Sequence, residues 1–81
     1  MQHKEIVDNT SQFLQQYVGE RDIDPEEEIF SSGLVNSLFA MQLVLFLEKE
    51  YNLKIDHADL DLQNFKSLNS IGDFVISKKQ S

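Results

Sequence analysis

Residues 37–47 read SLFAMQLVLFL and decide the fold, because their apolar residues have helical spacing and offer more apolar surface than one buried stripe requires. Gln42 is the single polar residue after the leading serine. Asn36, directly before this stretch, is a good N-cap residue, and Asn52 stands where a left-handed residue commonly ends a helix. The sequence therefore predicts a helix that begins at residue 37, or one position either side, and ends at about Tyr51.

Two apolar stripes run along this predicted helix, whereas an ordinary amphipathic helix has one. The first stripe contains Ala40, Leu43, Val44, Leu47 and Tyr51. The second contains Leu38, Met41 and Leu45, and is continued by Glu48. Either the helix is central and buried nearly all round, or the second stripe is a surface for a partner. We favour the second interpretation, because so small a bundle can hardly cover both stripes and a methionine adapts to several partners.

The rest of the chain predicts three further helices. The first spans about residues 4–18 and ends before Gly19, a short one lies within residues 58–65, and the last spans about residues 68–78 behind Ser67 as N-cap. The lysines at 78 and 79 favour the negative end of that last helix. The apolar residues are Ile6, Val7, Phe13, Leu14, Tyr17 and Val18 in the first helix, Leu60, Leu62 and Phe65 in the short one, and Leu68, Ile71, Phe74 and Val75 in the last.

A long loop joins the first two helices over residues 20–36. It holds Pro25 and many of the acidic residues, and its predicted anchors to the core are Ile23, Ile29 and Phe30. Gly and Pro are few in the chain, and nothing predicts a strand. The predicted fold class is therefore all-α: a small four-helix bundle of three principal helices and one short helix, in a single domain over residues 1–81.

The composition excludes several classes of function. With 7 basic and 14 acidic residues the net charge is −7 at pH 7, which argues against nucleic-acid binding. The chain has no cysteine, so we expect no disulfide, thiolate nucleophile or cysteine-ligated zinc. The longest apolar run, Leu43 to Leu47, is far shorter than the roughly 20 residues of a membrane span, and the first residues lead into no signal-type apolar region. We expect a soluble, cytoplasmic, monomeric domain with no membrane contact.

We expect neither a metal site nor an enzyme active site. The acids at residues 22–26 alternate as calcium ligands do, but Pro25 interrupts them, and the glycine and final glutamate of an EF-hand loop are missing. His3 and His57 are isolated in the sequence, and a serine hydrolase needs a base and an orienting acid beside its nucleophile. We expect His3 to lie near a fraying terminus, and we interpret His57, which has Asp56 and Asp59 close by, as a surface residue.

Ser37 stands where the long loop meets the apolar helix. The start of a helix offers free backbone N–H groups and a partial positive charge, and it therefore tolerates a phosphate group well. A serine at this position is nevertheless usually only a cap. The position of the serine by itself leaves both interpretations open.

The surroundings of Ser37 resemble the attachment motif of acyl carrier proteins. The motif itself is GLVNSL at residues 33–38, and the resemblance extends over nearly the whole chain, through FL at 13–14, EIF at 28–30, LEKEY at 47–51 and FKSL at 65–68. The resemblance implies a four-helix bundle of the acyl-carrier type. It also implies that a transferase moves 4′-phosphopantetheine from coenzyme A onto Ser37, between Asn36 and Leu38, and that the thiol of this arm carries an acyl or aminoacyl group as a thioester.

The same resemblance implies a non-catalytic carrier that is a substrate of partner enzymes. These are a phosphopantetheinyl transferase, an acyl- or aminoacyl-loading enzyme, and downstream condensing, transfer or tailoring enzymes. The acidic surface would steer basic partners, with an effect that weakens as salt rises. The residues that we predict to meet partners are Leu34, Val35, Met41, Gln42, Leu45 and Glu48.

Two positions depart from the usual pattern of the family. Asn36 stands where aspartate is usual, and Gly33 lies four residues before Ser37 rather than three. The longer spacing and the run at residues 35–42 resemble discrete carriers of aminoacyl groups, or of hydroxymalonyl-, methoxymalonyl- or aminomalonyl-type units. We therefore expect a role in polyketide, nonribosomal peptide or related specialised metabolism.

One alternative from a different class stays open. The chain would then be an unmodified acidic helical adaptor that binds a partner protein through the face of its second helix. The second apolar stripe fits both functions, and only covalent modification of Ser37 separates them.

Overall fold

The computed structural model of the protein describes residues 2–80. This part of the chain folds into four α-helices, one of them short. The helices are α1 (His3–Val18), α2 (Ser37–Tyr51), α3 (Leu62–Phe65) and α4 (Leu68–Gln80), with a 3-10 turn at His57–Asp59 before α3. No strand occurs among residues 2–80. The predicted all-α bundle of three principal helices and a short one is confirmed.

The ends of α2 follow from the asparagines that flank it. The side-chain oxygen of Asn36 accepts a hydrogen bond from the backbone N–H of Phe39 at 3.1 Å, which satisfies one of the free donors of the first turn. At the other end Asn52 is left-handed, with φ 52°, and its N–H donates to the carbonyl of Glu48. Both predicted caps of α2 are confirmed.

The core forms along one side of α2. Leu43, Leu47 and Tyr51 of the first stripe are buried, and Ala40 and Val44 are half-buried. Phe39 is also buried on this side of the helix, although neither predicted stripe includes it. The buried apolar residues outside α2 are Ile6, Val7, Leu14, Ile23, Ile29, Val35, Phe65, Leu68, Ile71, Phe74 and Val75.

The long loop is fixed to the bundle through its backbone and its side chains. The backbone N–H of Ile29 donates to the carbonyl of Lys66 at 2.9 Å, and that of Asn69 donates to the carbonyl of Pro25 at 3.0 Å. The predicted anchors are two buried residues and one half-buried residue: Ile23, Ile29 and Phe30. The loop is therefore part of the folded unit, and it holds the start of α2 in place.

Two expectations about burial are wrong. Val35 is predicted to meet partners but is only 5% exposed, because its N–H donates to the carbonyl of Ile29 at 3.0 Å and draws the end of the loop onto the core. Tyr17 is predicted to lie on the inward stripe of α1 but is 43% exposed. It lies at the end of α1, where its ring packs beside Phe39 instead of entering the core.

The connection between α2 and α4 also differs from its prediction. In place of one short helix, the chain forms the 3-10 turn and then α3, because the Asp61 side chain accepts from the N–H of Gln63 and starts a new helix. Lys78 donates to Asp59 Oδ2 at 2.7 Å, and Lys79 donates to the carbonyl of Tyr51 at 3.0 Å. The two lysines thus join α4 to its neighbours, beyond their predicted effect on the end of their own helix.

At the start of α1, the His3 ring packs directly on α4. A Cβ at Gly72 would lie 2.7 Å from His3 Nε2, so this approach requires glycine. The same nitrogen lies 3.1 Å from the carbonyl oxygen of Asn69 and 3.2 Å from the carboxylate of Asp73. His3 therefore joins two helices, and the expectation that it lies near a fraying terminus is wrong, because α1 begins at this residue.

Leu47→Ala tests the burial of the first stripe. Leu47 is fully buried, and truncating such a leucine leaves a cavity, so we expect the free energy of unfolding to fall by about 2–5 kcal/mol. Leu45→Ala, on the exposed side of the same helix, is the matched control and should change it by less than about 0.5 kcal/mol. Urea unfolding measures both variants, and equal losses would contradict the assignment of the two stripes.

Asp59→Asn tests the ion pair between the 3-10 turn and α4. The hydrogen bond between the Lys78 ammonium and the Asp59 carboxylate lowers the pKa of Asp59 below 3.8 and raises the pKa of Lys78 above 10.5. The carboxyl stabilises the fold above its ordinary pKa and loses this effect as pH falls through its folded-state value. The ammonium stabilises the fold below its ordinary pKa and loses this effect as pH rises through its folded-state value.

Thermal unfolding should therefore show the deficit of Asp59→Asn to be largest between the two ordinary pKa values, 3.8 and 10.5, and to shrink outside this range. Asp8→Asn, which breaks an exposed pair with Lys4, is the control and should have little effect at any pH. A deficit of Asp59→Asn that does not vary with pH would show that the ion pair is not its cause.

Candidate attachment site

Ser37 is the first residue of α2, and its side chain is exposed. The residues before it explain this position. Gly33 takes a left-handed φ of 81°, which favours glycine and turns the chain from the loop towards the helix. Val35 is anchored in the core and Asn36 caps the helix. Ser37 is therefore held on ordered backbone while its side chain stays accessible.

The first turns of α2 carry no charge. No acidic residue lies in the first turn, and none of residues 37–47 is charged. The first charged residue along the helix is Glu48, which accepts a hydrogen bond from the N–H of Ile55 at 2.9 Å. No carboxylate of the helix therefore neutralises the partial positive charge at the start of α2, and this charge favours a phosphate group there.

The end of α1 lies against the start of α2. The ring centroids of Tyr17 and Phe39 are 4.8 Å apart, and the Tyr17 hydroxyl lies 3.5 Å from Asn36 Oδ1. Ring contacts continue from Phe39 to Phe13 at 5.5 Å and from Phe13 to Phe46 at 4.3 Å. Tyr17 is a residue of the site that sequence reasoning missed. No local signal could have indicated it, since the contact joins two helices across the long loop.

No activating base is bonded to Ser37. Among residues 2–80, its hydroxyl makes no hydrogen bond with a histidine or a carboxylate. In the same part of the chain, no group of three or more His, Cys, Asp or Glu side chains is placed to hold a metal ion. The arrangement can present an accessible hydroxyl to an enzyme that brings its own base.

An exposed apolar surface, here called the α2 ridge, follows Ser37 along the helix. It consists of Leu38, Met41 and Leu45, whose exposed fractions are 65%, 69% and 65%. The interpretation in which α2 is buried all round is therefore wrong.

As far as the chain is described, α2 and the other helices are too short or too polar to cross a membrane.

The other predicted interface residues differ in accessibility. Gln42 is exposed beside the ridge, and Leu34 is half-buried in the loop. Glu48 is half-buried, and its carboxylate is held by the N–H of Ile55. Together with the burial of Val35, this leaves the ridge and Gln42 as the readily accessible part of the predicted surface.

A small helical bundle that presents an accessible serine at the uncharged start of its second helix has the fold of a small carrier domain. A family model described as the phosphopantetheine attachment site matches residues 10–75, and the chain belongs to this family. It is thus a carrier protein of the kind that takes 4′-phosphopantetheine covalently. No curated protein and no solved structure gives a significant match.

The family match covers most of the fold, since it extends from within α1 to within α4. Carrier domains of this family are generally non-catalytic, and they interact with phosphopantetheinyl transferases and biosynthetic enzymes. The predicted resemblance and the predicted cofactor are both confirmed.

Proposed function

We propose that the chain is a discrete acyl carrier protein, a single domain over residues 1–81, that bears 4′-phosphopantetheine on Ser37. The observation that carries this proposal is the accessibility of Ser37 at the uncharged start of α2, within the part of the chain that matches the family. Asn36 and Leu38 flank the attachment site. The arm, when bound, supplies a flexible thiol that forms thioesters.

The residues at the start of α2 fit a phosphodiester. Such a group needs an accessible hydroxyl and gains from free N–H donors without a nearby carboxylate. Ser37 is exposed, and the first turn holds no acid. The cap takes up the N–H of Phe39, which leaves other donors of the first turn free for an anion.

Attachment uses the Ser37 hydroxyl as the nucleophile. Its oxygen forms a bond to the phosphorus of the arm, the pyrophosphate bond of coenzyme A breaks, and adenosine 3′,5′-bisphosphate leaves. A base of the transferase accepts the hydroxyl proton. The chain contributes position, because it holds the hydroxyl on an ordered helix start and leaves room for the approaching enzyme.

The proposed pathway is polyketide, nonribosomal peptide or related specialised metabolism, in the cytoplasm. Its support is the four-residue spacing from Gly33 to Ser37 and the run at residues 35–42, which resemble discrete carriers of aminoacyl or substituted malonyl units. The monomeric carrier would pass its thioester from a loading enzyme to downstream condensing, transfer or tailoring enzymes.

Partner enzymes are proposed to dock on the α2 ridge. The ridge begins next to Ser37 and continues for two turns on the exposed side of the same helix. Exposed apolar residues with polar neighbours commonly mark a contact surface. Gln42 is such a neighbour, and the lack of charge from residue 37 to residue 47 favours apolar contact over ion pairing.

Ser37→Ala tests the attachment. The wild type, incubated with coenzyme A and a broad-specificity phosphopantetheinyl transferase, should gain the mass of one phosphopantetheine, and Ser37→Ala should gain none, because it lacks the nucleophile. Ser32→Ala, which removes an exposed serine of the neighbouring loop, is the matched control and should be modified like the wild type. Intact-mass spectrometry measures all three. An unmodified wild type would favour the adaptor function instead.

Met41→Glu tests docking on the ridge. Burial of one apolar side chain is worth about 1.5–3 kcal/mol, so we expect kcat/KM of the transferase for this carrier to fall at least about tenfold. The melting temperature should change little, since Met41 is exposed. Gln12→Glu adds the same charge on the exposed side of α1 and should leave kcat/KM nearly unchanged. A large loss of stability, or equal kinetics in both variants, would argue against the ridge.

A further inference from the structure

The side chain of Asn36 has one orientation that fits its contacts. Its oxygen must face the backbone N–H of Phe39, 3.1 Å away, because an amide nitrogen cannot accept a hydrogen bond. The same oxygen lies 3.5 Å from the Tyr17 hydroxyl, which donates to it as well. Two donors therefore converge on Oδ1, and the Nδ2 group is turned away from both.

The Nδ2 group of Asn36 is available to a ligand. Asn36 is exposed, and its Nδ2 donates to no protein group within residues 2–80. It carries two N–H donors, directly precedes Ser37, and stands at a helix start whose first turn has no acid. A neutral group with two free donors at an unopposed helix start suits an anion.

We propose that Asn36 donates its Nδ2 hydrogens to the phosphodiester of the arm on Ser37, and that Tyr17 holds the amide in the orientation this requires. The proposal rests on the attachment at Ser37 argued above. Tyr17 is a positioning residue, because its ring is placed by Phe39 and its hydroxyl acts only through Asn36.

Asparagine at position 36 matters mainly in the modified protein. An aspartate would cap α2 about equally well. The stability of the unmodified protein should therefore be nearly the same with either residue at position 36. In the modified protein, an aspartate would place a carboxylate beside the phosphodiester anion, whereas the amide offers donors to it. The effect of residue 36 should therefore depend on the presence of the arm.

The test measures what the arm does to stability in four proteins: wild type, Asn36→Ser, Asn36→Asp and Tyr17→Phe. Each is prepared unmodified and then fully modified with coenzyme A and a broad-specificity transferase, with intact mass as the check on completeness. Serine keeps the cap without the amide donors, aspartate keeps the cap and adds a charge, and phenylalanine loses only the hydroxyl. The melting temperature of the modified form minus that of the unmodified form cancels the effect of each substitution on folding alone.

We expect the arm to raise the melting temperature of the wild type by roughly 2–5 °C, the size of shift that an exposed anion at a helix start produces in a domain of this length. The increase should be smaller in Asn36→Ser and in Tyr17→Phe. In Asn36→Asp the arm should lower the melting temperature, and added salt should reduce this loss because it screens the repulsion.

If the arm raises the melting temperature of Asn36→Ser as much as that of the wild type, the donation by Asn36 is overturned. Charge alone would then explain any change in Asn36→Asp. If the arm raises the melting temperature of Tyr17→Phe as much as that of the wild type, the positioning role of Tyr17 is overturned. A Ser37 hydroxyl that takes no arm in the wild type overturns the proposed attachment, and this inference with it.

Discussion

A helix with two apolar stripes can bury only one of them in a bundle this small, and the rest of the structure depends on that limit. The other helices and the loop supply enough apolar side chains to cover Leu43 and Leu47, while Met41 and Leu45 stay exposed. Hydrophobic burial thus fixes α2 through one side and leaves the other as an ordered apolar surface. Stability and the proposed partner recognition thus depend on two different sides of one helix, so a residue on the ridge can change without loss of the fold.

The start of α2 is fixed from three directions, and this suits its serine to the modification proposed above. The loop is anchored through Val35, the cap is supplied by Asn36, and the end of α1 covers Phe39 through Tyr17. An enzyme that binds here meets backbone that is already ordered, so little entropy is lost in fixing it. The mobility that a carrier needs can then come from the arm, while the protein surface that partners recognise stays constant.

Local signals predicted most of the fold, because helix ends depend on residues a few positions apart. Asn36 and Asn52 mark both ends of α2 in this way. Contacts between distant segments were not predictable, among them the burial of Val35 and the approach of Tyr17 to the cap, since these depend on how the loop and α1 pack on α2. The proposed role of Ser37 rests on the family resemblance, because a serine at a helix start is otherwise an ordinary cap.

The distribution of charge gives the proposed carrier two separate means of finding and holding a partner. Most acids of the long loop, including Asp22, Asp24 and Glu26, are exposed, and their field acts over a Debye length of about 8 Å at physiological salt. They speed the encounter with a basic enzyme surface. The α2 ridge acts only in contact, and its apolar burial is insensitive to screening. Salt should therefore change the rate of association of this carrier with its partners more than the lifetime of the complexes.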